Sequence, residues 1–501
     1  MGKYRKGFAL YHTGQIFTDI MKVRNQKVSK QRVVWEQLWK VVQLSIPTLL
    51  AEISSIAMQY IDAAMAGSLG ADATGAIGIV TSTTWLFGGL CIAMATGFSV
   101  QVAHLTGAGR DSDARNVLRQ ALLCTLVFGI ALSAVGIGIS RYLPVWLGGE
   151  EDVCRDASRY FLIYACALPA TQIRQTAGSM LQCSGDMRIP GRLNILMCFL
   201  DVMLNGLLIF PTRQIVVLNC SFTIAGAGLG VMGAALGTAL SEVITALLML
   251  YAVCFRSARL RLERKGTWRL DVKCLYTALR LALPMAFEHI ILCGAQIAGT
   301  RIVSPLGTVS VAANSLAVTA ESFCYMPGYG ISAAATTLVG QSIGAGKPQL
   351  AKSYARLSVA LGAAVMSFTG GVMFFCAPVM FSILTPDLGI RELGTKVLRI
   401  EVFAEPLYAA SIVAAGALRG AGDTLVPSIL NLASMWGIRI TCAAFLAPRL
   451  GLVGVWIAMC GELCVRGVLF LIRLLRGNWL NREYIGQNVD RNHPEGGKMD
   501  E

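Results

Sequence analysis

The chain has 501 residues, 55% of them hydrophobic and only 14% charged, with a mean hydropathy of +0.60, which excludes a soluble globular protein and places it in a bilayer. A formal net charge of +14 would point to nucleic acid in a soluble chain, but here it is read against the membrane spans first. The 15 cysteines fall mostly inside apolar runs and the four histidines (His12, His104, His289, His493) show no ligand spacing, so no structural zinc site is expected.

Residues 1–40 are polar and basic, with no short apolar core of the kind a cleavable signal carries. The first span, 41–66, lies in VVQLSIPTLLAEISSIAMQYIDAAMAG (41–67). On a helix turning about 100° per residue, its Glu52, Ser55, Gln59 and Asp62 fall within roughly an 80° arc. An ionised acid at mid-bilayer costs about 2.5–3.5 kcal/mol on insertion scales, so this stripe is expected to face a protein interior or a wet cavity. A pathway for ions or polar solutes follows. The plainer alternative is glue between helices, worth only ~1 kcal/mol per hydrogen bond.

Further runs long enough to cross follow at 77–104, 117–140, 157–181, 190–211 and 228–254. In the fifth span Asn194, Asp201 and Asn205, at i, i+7 and i+11, share a face within about 40°. A basic linker (256–274) leads to spans at 276–303, 311–341, 355–381, 394–417, 425–447 and 452–475, and a polar tail occupies 477–501. These later spans carry Glu288, Glu321 and Glu405. Glu242 and Glu462 are read with equal weight as structural partners of in-span bases such as Arg174 or Arg439. Pro327, Gly328 and Gly330 are expected to break the eighth span.

The spans are ordered by a repeat. Pro47 (SIPTLLAE) and Pro284 (ALPMAFEH) stand 237 residues apart, and at the same offset AHLTGAGR (103–110) overlies GQSIGAGK (340–347), CSGDMRIP (183–190) overlies GAGDTLVP (420–427), and Asn194 overlies Asn431. Two halves of six helices, 41–255 and 275–476, are therefore expected. Six is even, so both enter the membrane in the same sense and leave a path at their interface. Thirty of the 43 Lys and Arg lie in the N-terminal segment, the tail and alternate loops, against eight on the opposite side beside the acidic GGEED run. That bias puts both termini in the cytoplasm.

The IP-x4-E and DAAMAG pattern of the first span, GAGR and GAGK after the second and eighth, the GD turns after the fourth and tenth, and above all MPGYGISAAATTLVGQSIGAGK (326–347) and GALRGAGDTLVP (416–427) resemble the multidrug and toxic compound extrusion (MATE) family over about residues 35–476. The resemblance implies an all-α membrane protein, with twelve transmembrane helices in two pseudo-symmetric six-helix bundles arranged as a V. It implies export of cationic, amphipathic small molecules across a bacterial plasma (inner) membrane, in exchange for H+ or Na+, with no other cofactor. Asp62 occupies the place of the family's cation-binding aspartate. Two departures from the sodium-coupled members favour protons. Tyr408 stands where they carry an acid, with Glu405 one turn earlier, and Glu288 follows Pro284 by one turn where they have two.

The expected coupling and cavity residues are thus Asp62, Glu52, Gln59, Asp201, Asn205, Asn194, Glu288, Glu321 and Glu405. Burial disfavours the charged form of a carboxyl, so such an acid can take a proton from outside and release it inside while a cationic substrate competes for the same charge. The competing class within transport is a flippase or exporter of a lipid-linked or other metabolite of the same superfamily. An embedded enzyme would need a nucleophile and base or a metal cluster, whereas His104 and His289 stand alone in the sequence. No strand is expected before Gly228-x-Gly230-x-x-Gly233, whose run enters a membrane helix where glycines allow close contact, and GQSIGAGK lacks the P-loop pattern, so no nucleotide site is expected. A monomer without nucleic acid is the expected state, and a Cys154–Cys220 bridge between outer loops is not favoured.

Overall fold

A computed structural model describes the backbone of residues 4–217, 220–263 and 268–481. It is helical apart from one hairpin. The first half comprises α1 (Tyr4–Gly67), α2 (Ala71–Gly107), α3 (Asp111–Ile139), the single turn α4 (Leu143–Trp146), α5 (Glu151–Cys183), α6 (Arg188–Leu208) and α7 (Val231–Tyr251). The second comprises α8 (Val272–Val303), α9 (Thr308–Gly344), α10 (Pro348–Leu384), α11 (Leu388–Glu401), α12 (Glu405–Gly420), α13 (Leu425–Ser434), α14 (Thr441–Leu450) and α15 (Leu452–Arg476). The α11–α12 pair is the tenth span and α13–α14 the eleventh, so the helices follow the twelve expected crossings. The tail beyond residue 481 lies outside the described residues.

Among the described residues nine of these crossings are long and apolar enough for a membrane by composition. The three that fall short, α5, α9 and α11–α12, each pack on several other helices. Helix α5 packs on α2, α3 and α7, and α9 packs on α1, α10 and α12. A helix sheltered by protein can carry polar side chains that lipid would not tolerate. The first helix of each half leans on the other half. Val41 of α1 joins a core with Ile331 of α9, Tyr354 of α10 and Val413 of α12. Ala278 and Ala282 of α8 join one with Phe98 of α2 and Leu118 of α3.

Four local features depart from the sequence reading. The outer loop after α6 is an antiparallel hairpin, β1 (Pro211–Val217) with β2 (Cys220–Ala227), in a stretch rich in β-branched residues such as Ile215, Val216 and Val217, so a strand does precede Gly228-x-Gly230-x-x-Gly233, whose Gly233 packs against the end of α6. Helix α9 runs unbroken through Pro327, and the nearby glycines serve contact instead. Gly330 sits against the backbone of Thr48 and Leu49 of α1, while the Thr48 hydroxyl donates to the Gly330 carbonyl at 2.9 Å. The tenth span, expected to be continuous, breaks at a 3-10 turn, Val402–Ala404, because Pro406 has no N–H for the Val402 carbonyl. Glu405 N–H supplies that bond. Finally, Cys154 lies in the first turn of α5 rather than in a loop and is a free thiol; the Cys220 side chain lies outside the described residues.

Candidate functional site

Asp201 and Asn205 stand one turn apart on α6, so both point the same way. The Asn205 amide donates through Nδ2 to Asp62 Oδ1 at 2.9 Å and to Asp201 Oδ2 at 3.1 Å. The Ser241 hydroxyl on α7 lies 3.2 Å from Asp201 Oδ1. Asp201, Asn205 and Ser241 are buried and Asp62 half-buried. A Cβ at Gly237 would collide with the Asn205 side chain, so α7 needs glycine where it crosses α6.

The Asp62 and Asp201 carboxyl groups, both held by the same Asn205 nitrogen, are close neighbours. Two carboxylates in contact repel unless a proton or metal cation sits between them. The Asn205 Oδ1 is buried and accepts no hydrogen bond among the described residues. The cluster therefore offers carboxylate and amide oxygens to one small cation.

The other expected residues of this half go elsewhere. Arg174 on α5 clamps Glu242 on α7 through two bonds, at 2.6 and 3.1 Å, and its third nitrogen reaches Asn194 at 3.5 Å. Asn194 thus belongs to that ion pair rather than to the aspartate pair. Glu52 is half-buried with Arg174 as its cationic neighbour, and Gln59 is exposed. Among the described residues, Asp62 is the one member of the first-span stripe hydrogen-bonded to α6.

In the second half Glu288 is fully engaged. It accepts from Arg419 at 3.1 Å, Ser428 at 2.7 Å and Asn431 at 2.6 Å. This is an ion pair with its remaining lone pairs satisfied, the arrangement that holds helices together. A second acidic centre lies deeper. Glu321 of α9, Glu401 and Glu405 on either side of the 3-10 turn, and Glu462 of α15 are all buried. Arg439 and Arg466 are the cations acting on Glu321, and Arg466 sits 3.2 Å from Glu462. Four acids meet two cations. Neither oxygen of Glu401 has a hydrogen-bond partner among the described residues, and Glu405 has only the Cys324 thiol beside it. Glu401 escaped the sequence reading; the signal was its position one turn ahead of Glu405, before a proline.

The halves meet at the GAGR and GAGK ends of α2 and α9. A Cβ at Gly107 would overlap the Gln341 carbonyl, and one at Gly344 the His104 carbonyl. His104 Nε2 lies 2.8 Å from the Gly420 carbonyl, and Gln341 donates to the Cys183 carbonyl at 2.9 Å. His104 and the glycines of the two turns thus form a seal at the end of the molecule where α1 enters its half.

The MatE family profile matches this chain twice, at residues 47–207 and 284–445, beginning at Pro47 and Pro284 of the repeat. The chain is 26% identical over 450 residues to the probable multidrug resistance protein NorM of Thermotoga maritima, covering 88% of this chain and 93% of that one. Among solved structures it superposes with a TM-score of 0.81 on an outward-facing multidrug resistance MATE family transporter of the MOP superfamily, at 19% identity over 89% of this chain and 97% of the other. It superposes equally, at 18% identity over 89% of this chain and 97% of the other, on a MOP superfamily transporter from Pyrococcus furiosus described as having a binding pocket of reverse polarity. Two family matches on two duplicated halves, together with a shared fold, make this chain a multi-span membrane protein of the MatE family.

Proposed function

We propose that this protein exports cationic, amphipathic small molecules from a bacterial cell across the plasma membrane by antiport, with protons as the driving ion, both termini cytoplasmic, and alternating access between the two halves. The observation that carries the reading is the Asp62–Asn205–Asp201 cluster, two acids bridged by an amide and touched by no arginine among the described residues. An inward proton loads the pair. A cationic substrate is drawn to the same charge, and two positive species cannot both neutralise it. Energy comes from the ion gradient, about 2.3 kcal/mol per charge per 100 mV of membrane potential. The name of the Thermotoga relative supports drug efflux as the activity.

A carrier of phosphate-linked lipids would need unpaired bases lining its cavity, whereas Arg174, Arg419 and Arg466 each face a glutamate. The test is purified protein in liposomes, with ethidium movement followed under an imposed proton or sodium gradient. Movement driven by the proton gradient and lost in Asp62→Asn supports the reading. Movement driven by sodium alone overturns the choice of ion, and movement unchanged in Asp62→Asn overturns the site.

A further inference from the structure

Helices α10 and α11 leave an open groove of about 610 Å³ near the end of the molecule opposite the glycine seal. Its ten lining residues include three cations and two aromatic rings. Arg391, Lys396 and Arg399 follow one another down α11, against Glu392 as the one acid among its lining residues. Along the helix Arg399 lies about 12 Å deeper than Arg391, at 1.5 Å per residue. Beside them Phe375 is 77% and Phe403 72% exposed, on the outer face of a span, where the neighbours are acyl chains.

Two of the cations are held rigid. Pro378 has no N–H for the Phe374 carbonyl one turn before it, and Arg399 Nε donates to that carbonyl at 3.1 Å while its guanidinium lies 5.0 Å over the Phe374 ring. Arg391 donates to the Ser382 and Thr385 carbonyls at the end of α10, at 3.2 and 2.6 Å. Each guanidinium has five N–H donors, so both keep donors for a ligand in a fixed position. A lipid-facing arginine at depth is costly without an anion. Three stacked cations beside exposed aromatic rings match a phosphodiester joined to hydrocarbon, and not a soluble anion.

We propose that this groove holds the headgroup of one anionic phospholipid, its phosphate on Arg391 and Lys396 and its acyl chain along Phe375 and Phe403. The same combination of charge and apolar wall holds anionic headgroups in basic pockets on the cytoplasmic side of membranes, and here it faces the opposite leaflet.

The experiment is native mass spectrometry of delipidated full-length protein titrated with phosphatidylglycerol, phosphatidylcholine or inorganic phosphate. The exposed Lys396 has none of the backbone bonds that Arg391 and Arg399 make, so Lys396→Gln is the variant to use. Wild type is expected to hold one phosphatidylglycerol, with affinity falling roughly fivefold in Lys396→Gln and rising by a similar factor in Glu392→Gln. Phosphate is expected not to displace it. Equal binding of the two lipids, indifference to both substitutions, or displacement by inorganic phosphate would each overturn the proposal, the last by showing a soluble-anion site.

Discussion

The amide of Asn205 bridges Asp62, 143 residues away on the first helix, to Asp201 on its own helix. A neutral side chain so placed sets the distance between two acids without neutralising either. Asp62→Asn is expected to leave the protein in the membrane and to abolish proton-driven ethidium movement. Asn205→Leu keeps both acids but removes the bridge, and a hydrogen bond to a charged group is worth about 1.5–3 kcal/mol. A fall in transport of tenfold or more, measured in the same liposomes, is the expected outcome.

Gly237 tests the same geometry from the other side. Gly→Ala within a helix ordinarily stabilises by about 0.5–1 kcal/mol. At Gly237 the new methyl would meet Asn205, and overpacking of that kind costs typically 1–3 kcal/mol. Gly237→Ala is therefore expected to lower Tm in detergent and to depress transport, although it touches no acid. An unchanged Tm would mean that α6 and α7 are not so close.

The Glu288–Arg419 pair makes the contrary prediction. Glu288→Gln keeps the shape and is expected to retain at least half of the transport rate. Arg419→Met strands a buried carboxylate, a loss of about 3–5 kcal/mol for fully buried pairs and less here because Arg419 is only partly buried. The double variant Glu288→Met, Arg419→Met is expected to melt above Arg419→Met alone. Ethidium movement in liposomes checks the first variant, and thermal unfolding of the other two purified variants decides the rest.

Among Glu321, Glu401, Glu405 and Glu462, two acids are left without a cation after Arg439 and Arg466 are counted. Replacing Glu401, unpartnered among the described residues, by Gln removes the cost of taking a carboxyl out of water at nearly constant volume, so its Tm at neutral pH is expected to rise. If Tm falls instead, a bound cation was being held there.

How much of this was legible in the sequence depended on the range of the interaction. Spans, the 237-residue repeat and the shared face of Asp201 and Asn205 follow from local composition and helical period, and the structure has helices in those places. The pairing of Glu288 with Arg419, 131 residues on, and of Arg174 with Glu242, 68 residues on, depends on which helix lies beside which, and periodicity carries no such information. The hairpin after α6 was missed because a short run of β-branched residues in a membrane chain reads as loop. The turn before Glu405 was missed because hydropathy does not register the N–H that Pro406 lacks.

The contact of Gly107 and Gly344 with opposing carbonyls has a kinetic consequence. Plates that touch largely through backbone, joined here by two side-chain hydrogen bonds from His104 and Gln341, have few knobs to disengage from holes as they part. Under the alternating access proposed above, a gate made this way would close tightly yet open at small cost, as a carrier that must cycle many times requires. Gly344→Leu is accordingly expected to stop cycling by wedging that gate, with insertion into the membrane intact, and amide hydrogen exchange at the ends of α2 and α9 should rise to match.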